Sequence, residues 1–409
     1  MHLELSKKIT NELTKNEKKN YGIFFTPSNT VKYNLKILKD YMEKTGLKIT
    51  EQSCILEPSC GSCEYIEEMK KIFQNANIIG IEKNKMIFER IKHLDVKLIN
   101  DDFICYNFTQ KYDLIIGNPP YFVVNKEEIF SKYYDGRPNI FIFFIIKSLS
   151  LLKKNGILNF ILPKSFLNCL YYDKTRKYIN KNYKIVNIIE CNESNCKYID
   201  TKQETIILII QNTEEMKCNV NNEMYKISIE EYTIFGTKDN IAKLKELYKG
   251  TTNLKNLEFT VNVGNIVWNQ NKTILTSDEN QTLLIYSTDI KDNKLCIQKY
   301  KNEEKKNYIN KTGNDEPILV INRGYGTGNY NFNYCIINEK TTLKYLIENH
   351  LICIKYKEKE TKNKLIKKLK SIIKSFNDTR TRTFIEIYFG NNAINTTELY
   401  KILPIYNEI

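Results

Sequence analysis

Apolar runs of strand length alternate with stretches of helical spacing through the first half of the chain. The runs at residues 55–57, 78–82, 98–103, 113–117, 156–163, 185–190 and 205–210 predict strands. Between them, Val31, Leu35, Leu38 and Met42 predict one helix; Tyr65, Ile66, Met69, Ile72 and Phe73 predict another; Met86, Ile87 and Ile91 a third. Residues 141–152 read as an apolar helix and residues 174–182 as a further one. Alternation of this kind builds an α/β fold with a doubly wound, mostly parallel sheet. From about Gln211 it stops. Polar linkers then separate β segments at residues 261–268, 282–286 and 318–321, followed by an amphipathic helix over 359–376 and a polar basic turn at 377–383. The change divides the chain into domains at residues 1–215 and 216–409.

The polar residues that end the strands sharpen this picture. Residues 113–117 run into Asn118-Pro119-Pro120-Tyr121, where a strand cannot continue, because proline offers no donor and restricts the residue before it. Read alone, this is a turn. The functional alternative is that Asn118 and the Pro119 carbonyl accept hydrogen bonds from an amino group while Tyr121 stacks on the ring that carries it. Upstream, Glu57-Pro58-Ser59-Cys60-Gly61-Ser62-Cys63 is a small-residue turn into a helix, a place that suits an anionic group. Glu82 ends the next strand, and Asp102 with Phe103 ends the third. Each acid alone could be a solvated strand end, but three at one sheet edge suit a ribose and an adenine. Thr26-Pro27 reads as N-cap and first residue of a helix, with a preceding loop able to fold over a ligand. Residues 125–138 form a polar loop long enough to move or to cover a substrate. Cys60 and Cys63 have redox or half-zinc spacing, but no second pair completes four ligands, so no metal is expected.

Charge and composition narrow the partners. The 409 residues carry a formal net charge of +14, which points to a polyanion, and to nucleic acid ahead of an acidic membrane. The start has no signal-peptide core and the greasiest run, residues 140–146, is too short to span a bilayer. The eleven cysteines are irregularly spaced and read as reduced core residues of an intracellular, cytoplasmic protein. The Gly-, Arg- and Tyr-rich loop with Arg323 and Tyr325 reads equally as a groove-recognising element or a plain hairpin. Arg380 and Arg382 lie in the basic turn.

Together, Thr26-Pro27, then Glu57-Pro58-Ser59-Cys60-Gly61, then Asn118-Pro119-Pro120-Tyr121 resemble the N6-adenine DNA methyltransferases, most of all the gamma class typified by the TaqI enzyme. The resemblance implies a Rossmann-like S-adenosylmethionine-dependent methyltransferase sheet followed by a mixed α+β target-recognition domain. It implies that Thr26, Glu57, Ser59, Glu82, Asp102, Phe103, Asn118 and Pro120 bind S-adenosylmethionine, and that Asn118, Pro119 and Tyr121 hold the target base. Tyr198 falls where the family places a second aromatic against a flipped base. Arg323, Tyr325, Arg380 and Arg382 are the candidate DNA contacts. Cys63 stands where the family usually has glycine, which questions the geometry of that turn. The implied activity is N6-adenine methylation of double-stranded DNA by a monomer, as the modification enzyme of a type II restriction–modification system whose endonuclease is a separate protein. A protein-glutamine methyltransferase acting on release factors and an RNA adenine methyltransferase are the rivals; each leaves the C-terminal half and the positive charge less well explained.

Overall fold

The computed structural model describes residues 4–14, 22, 24–191, 204–213, 221–323, 332–389 and 394–406. It divides into two compact units, Met1–Ala242 and Lys243–Ile409. The division falls later than the end of strand–helix alternation, so the antiparallel hairpin Lys226–Ile229/Tyr232–Phe235 belongs to the first unit.

The first unit is built on a seven-stranded sheet. Its strands are β1 (Cys54–Glu57), β2 (Asn77–Ile81), β3 (Lys97–Ile99), β4 (Tyr112–Gly117), β5 (Leu152–Pro163), β6 (Lys184–Glu190) and β7 (Thr205–Gln211). Their order is β3-β2-β1-β4-β5-β7-β6, parallel from β3 to β5, with β7 antiparallel to both neighbours. Consecutive residues serve opposite faces, as the period of a strand requires. Ile55, Leu114 and Ile116 pack under the helices Ser28–Thr45 and Glu64–Ile72 with Leu35, Leu38 and Met69. Leu56 and Ile115 pack on the other side with Phe141 and Phe143 of the helix Ile140–Leu151. Covering both faces explains why these strands are apolar throughout. The order of strand addition reverses between the parallel neighbours β1 and β4, and a crevice opens there at the carboxyl ends of the strands.

Four expectations about elements change. The helix after Thr26-Pro27 begins at Ser28, with Pro27 as N-cap and no side-chain cap bond, because the Thr26 hydroxyl accepts from Asn118 instead. The third strand stops at Ile99, leaving Asp102 and Phe103 on the loop beyond it. Residues 125–138 contain a 3-10 turn, Glu128–Tyr133, anchored in the core: Phe130 stacks on Phe143 at 4.2 Å, and Tyr134 is buried. Ile72 of the second helix is 38% exposed rather than on its buried face.

The second unit is mixed α+β. Phe259–Val263, Leu351–Tyr356, Ile318–Asn322 and Tyr334–Ile337 form one antiparallel sheet, in that order. A second four-stranded sheet contains Thr282–Ile285 paired in parallel with Tyr345–Ile347. The strand expected over 261–268 ends at Val263, where Gly264 passes so close to the Glu348 carbonyl that a Cβ would lie 2.2 Å from it. The helix Lys362–Phe376 has the expected apolar face. The basic segment after it is not a turn: Asp378 caps a helix, Thr379–Tyr388, by accepting from the Arg380 amide, and Phe384, Ile385 and Tyr388 bury its inner face.

Candidate active site

A cavity of about 420 Å³ lies at the carboxyl edge of β1, β2 and β4. Thr26, Glu57, Ser59, Glu82, Asp102, Phe103, Asn118 and Pro120 all line it. One cavity thus gathers residues separated by nearly a hundred positions of chain, delivered by five separate segments: that of Thr26 and those that end or follow β1, β2, β3 and β4.

The turn after β1 makes one wall. Cys63 takes a left-handed backbone, φ 66°, and its amide donates to the Cys60 carbonyl at 2.7 Å. The chain therefore makes the tight turn with a residue that carries a Cβ, at a conformation glycine adopts more readily. Gly61 is left-handed as well, φ 52°, and a Cβ there would also meet the Phe25 ring at 3.2 Å. The Gly61 amide donates to Glu82 Oε2 at 3.0 Å, and the Asn84 amide donates to Glu82 Oε1 at 2.7 Å. Burial pushes the Glu82 carboxyl up to about 7, outweighing these two donors.

Glu57 is the most exposed to strain by burial. Its carboxyl lies well above the ordinary range, first through desolvation and then through the nearby Cys63, Glu64 and Glu82. Its Oε2 is buried without a hydrogen-bond partner among the described residues. An orphaned carboxylate oxygen at a cavity wall calls for a donor, best a cationic one. On the opposite side, Asp102 Oδ1 accepts from the Ile104 amide at 2.9 Å and its Oδ2 pairs with Lys83 at 2.8 Å. Phe103 is buried against Phe144, with ring centroids 4.8 Å apart.

Asn118 sits where β4 ends. Its Nδ2 donates to Thr26 Oγ1 at 3.1 Å and to the Phe24 carbonyl at 3.3 Å, so both amide hydrogens are taken. Oδ1 is thereby turned away from the wall, and the Tyr121 hydroxyl donates to it. The same hydroxyl lies 2.9 Å from the Ile161 carbonyl, a second acceptor for one proton. Ser59 Oγ donates to the Asn118 carbonyl at 3.2 Å, tying the β1 turn to the β4 turn. Pro119 and Tyr121 do not line the cavity; the Tyr121 ring packs edge-on to Phe141 at 6.0 Å.

Tyr198 and Tyr325 lie outside the described residues. Arg323 is half-buried. Arg380 is engaged within its own unit, bonded to Asp378 at 2.8 and 3.0 Å and stacked over Tyr406 at 4.1 Å. Arg382 is 84% exposed and pairs with Glu386 at 3.1 Å. Sequence reasoning missed Phe25, Glu64, Lys83 and Phe144, all of which line the cavity. Phe144 lies in a helix apolar on every side, so spacing could not single it out; Glu64 reads as an ordinary first-turn acid. Among the described residues no group of three His, Cys, Asp or Glu could hold a metal, and no helix is long and apolar enough to cross a membrane.

The family model described as the Eco57I restriction-modification methylase matches residues 41–196, which contain β1 to β6 and both proline-bounded turns. Residues 41–196 are thus similar to an Eco57I-type methylase domain. The chain is 27% identical to the Type II methyltransferase M.CvrRI of Paramecium bursaria Chlorella virus XZ-6E, over 96% of each chain. It is 26% identical to the modification methylase CviBIII of Paramecium bursaria Chlorella virus NC1A, over 99% of this chain and all of that one. To the Type II methyltransferase M.HincII of Haemophilus influenzae it is 31% identical, over 44% of this chain and 36% of the other. Its fold is similar to that seen in a DrdV–DNA complex, with a TM-score of 0.55 at 13% identity over 99% of this chain and 57% of that one. The methylase domain takes S-adenosylmethionine as cofactor, and the cavity fits that molecule. Glu57 lines the cavity as a buried acid suited to the ammonium, and Phe103 and Phe144, packed on each other, give it an apolar wall for a flat base.

Proposed function

We propose that this methylase is the modification enzyme of a restriction–modification system and methylates N6 of an adenine flipped out of duplex DNA. The observation that carries the reading is the orientation of Asn118. With Nδ2 held by Thr26 and the Phe24 carbonyl, its oxygen is the acceptor of the pair, occupied by the Tyr121 hydroxyl until a target arrives.

The chemistry of an exocyclic amino group asks for that arrangement. Its lone pair is delocalised into the ring and is a poor nucleophile. Asn118 Oδ1 and the Pro119 carbonyl accept its two hydrogens and draw the nitrogen toward tetrahedral geometry, stabilising positive charge as it develops. The Tyr121 hydroxyl keeps its proton and turns its hydrogen bond to the Ile161 carbonyl, 2.9 Å away, freeing Asn118 Oδ1 for the incoming group. S-adenosylmethionine would supply a sulfonium methyl whose S–C bond breaks as the N–C bond forms, leaving S-adenosylhomocysteine, with one amino proton released to water. No covalent intermediate with the protein forms.

In the same reading Glu57 binds the cofactor ammonium, Thr26 and Ser59 border its methionine portion, and Glu82 faces the ribose. Asp102, held in place by Lys83, accepts from the adenine amino group, while Phe103 and Pro120 pack on the ring. Tyr121 and Tyr198 sandwich the flipped base, since a base inside a duplex cannot reach the cavity. The second unit reads the DNA, and the charge of +14 supports phosphate binding with a steep salt dependence.

Radiolabelled S-adenosylmethionine offered with duplex DNA, structured RNA or a release factor tests the proposal. Label in DNA that digests to N6-methyl-2′-deoxyadenosine is the expected result. Label confined to protein or RNA would sink it.

A further inference from the structure

The helix Glu4–Glu12 precedes every motif discussed so far, yet its buried face is unusually polar. Ser6 is fully buried, and its hydroxyl meets Glu64 Oε1 and lies 3.0 Å from the Ser62 hydroxyl. Ser62 Oγ donates in turn to Glu64 Oε2 at 2.7 Å. Both oxygens of a buried carboxyl are thus held, one from the helix and one from the β1 turn. Two more contacts run from the same helix toward the same wall. Ile9 and Leu13 pack with Phe25 and Ile87, and Glu12 pairs with Arg90 at 3.0 Å.

Glu64, Phe25 and Ile87 all line the cavity, whereas its lining includes no residue of the helix itself. The helix therefore touches the cavity only through residues it holds from behind. We infer that the helix Glu4–Glu12 sets the cofactor affinity of this protein, with Ser6 as a positioning residue that locks Glu64 and the turn of residues 60–63. The inference rests on S-adenosylmethionine being the ligand of the cavity. Binding requires the turn amides and Glu57 to stand in one arrangement, and the cost of reaching it falls if that arrangement already exists without ligand. Ser6 supplies that pre-organisation through a hydrogen bond to a buried carboxyl, which is stronger than one between neutral groups.

The experiment uses the full chain and three proteins: wild type, Ser6→Ala, and the surface variant Arg90→Ala, which loosens the same helix with little risk to folding. Calorimetry gives the affinity for S-adenosylmethionine, hydrogen exchange of the ligand-free proteins reports amides 60–66, and melting reports stability. Ser6→Ala is expected to bind about ten-fold more weakly, the effect of one buried hydrogen bond to a carboxyl. Amides 60–66 should exchange faster, and kcat at saturating cofactor should stay unchanged. Arg90→Ala should move affinity the same way by about two-fold, as an exposed ion pair allows. Wild-type affinity and exchange in both variants overturn the inference, as does a loss of affinity no larger than the unfolded fraction explains. A wild-type protein that does not bind S-adenosylmethionine overturns the cofactor assignment as well.

Discussion

Each unit buries acids, and they are handled in opposite ways. In the second unit Asp289 is fully buried, but the Tyr286 amide donates to Oδ2 at 2.9 Å, and the Gln298 amide and Tyr300 hydroxyl donate to Oδ1 at 2.9 and 3.0 Å. Its carboxyl is still raised by burial. Glu57 of the first unit is raised by burial too, yet its Oε2 is buried with no partner among the described residues. A perturbed acid is therefore not by itself the mark of a site. What distinguishes the two is whether the protein has already supplied the donors. Asp289 organises a loop, and Glu57 waits for something the chain does not contain.

The contrast between organising and waiting is broken most severely at Asn118, where both kinds of bond meet in one side chain. Asn118→Ala should lower methyl transfer about a thousand-fold, the scale of losing one pre-organised group at a developing charge. Binding of S-adenosylmethionine should stay within about two-fold, because the two steps use different atoms of the turn. Single-turnover rates and calorimetry measure the two separately; comparable losses in both would remove Asn118 from the chemical step.

The two acids themselves should respond in opposite directions. Asp289→Ala strands the Tyr286 and Gln298 amides and should cost about 3 kcal/mol of stability with cofactor affinity unchanged. Glu57→Gln relieves a buried carboxyl that has no donor, so the ligand-free protein should melt no lower than wild type, while cofactor affinity falls about ten-fold. Should Glu57→Gln lose stability and keep affinity, the distinction drawn here fails.

Glu82 is intermediate, since both of its oxygens accept from backbone amides and yet it titrates at about 7 rather than at 4.5. The folded value is the higher one. Its favourable contribution is therefore complete below pH 4.5 and disappears as the pH rises through 7, a change of about 3 kcal/mol for a shift of this size. Glu57 and Glu64 are raised and act with the same sign. Ligand-free wild type should melt progressively lower between pH 5 and pH 8, and Glu82→Gln should flatten part of that slope. Parallel melting curves for the two proteins would refute the assignment.

How far the sequence revealed these features follows from the same difference. In the first unit, β1, β2 and β4 are buried on both faces and apolar through their middles, so Glu57, Glu82 and Asn118 at their ends stood out against their surroundings. The register that sets them side by side comes from local strand–helix–strand units and was legible for that reason. The polar loop at residues 125–138 was not, because Phe130 and Tyr134 are anchored by Phe143, from a helix whose uniform apolarity conceals direction. In the second unit the strands are short and pair across long separations, as Phe259–Val263 does with Leu351–Tyr356. Nothing local announces such a pairing. The helix Thr379–Tyr388 was missed because Thr and Arg dominate its first turns, and the Asp378 cap and the later aromatic residues carry its signal instead.

The smallest effect belongs to two arginines that look alike in sequence. Arg380 is bonded to Asp378 through two nitrogens and lies over the Tyr406 ring, and it holds the Asp378 carboxyl below its ordinary range. Arg382 is exposed and pairs with Glu386. If the second unit binds DNA through phosphates, Arg382→Ala should weaken binding uniformly across sequences by a few-fold and reduce the slope of log K against log salt by about 1. Arg380→Ala should instead lower stability by about 1 kcal/mol through the lost ion pair and ring contact, and leave the salt slope alone. Fluorescence anisotropy on a duplex across a salt series, run beside thermal melting, separates the two. A salt slope that changes with Arg380 and not with Arg382 would reverse the assignment, because a guanidinium already neutralised by Asp378 displaces no counterion when DNA arrives.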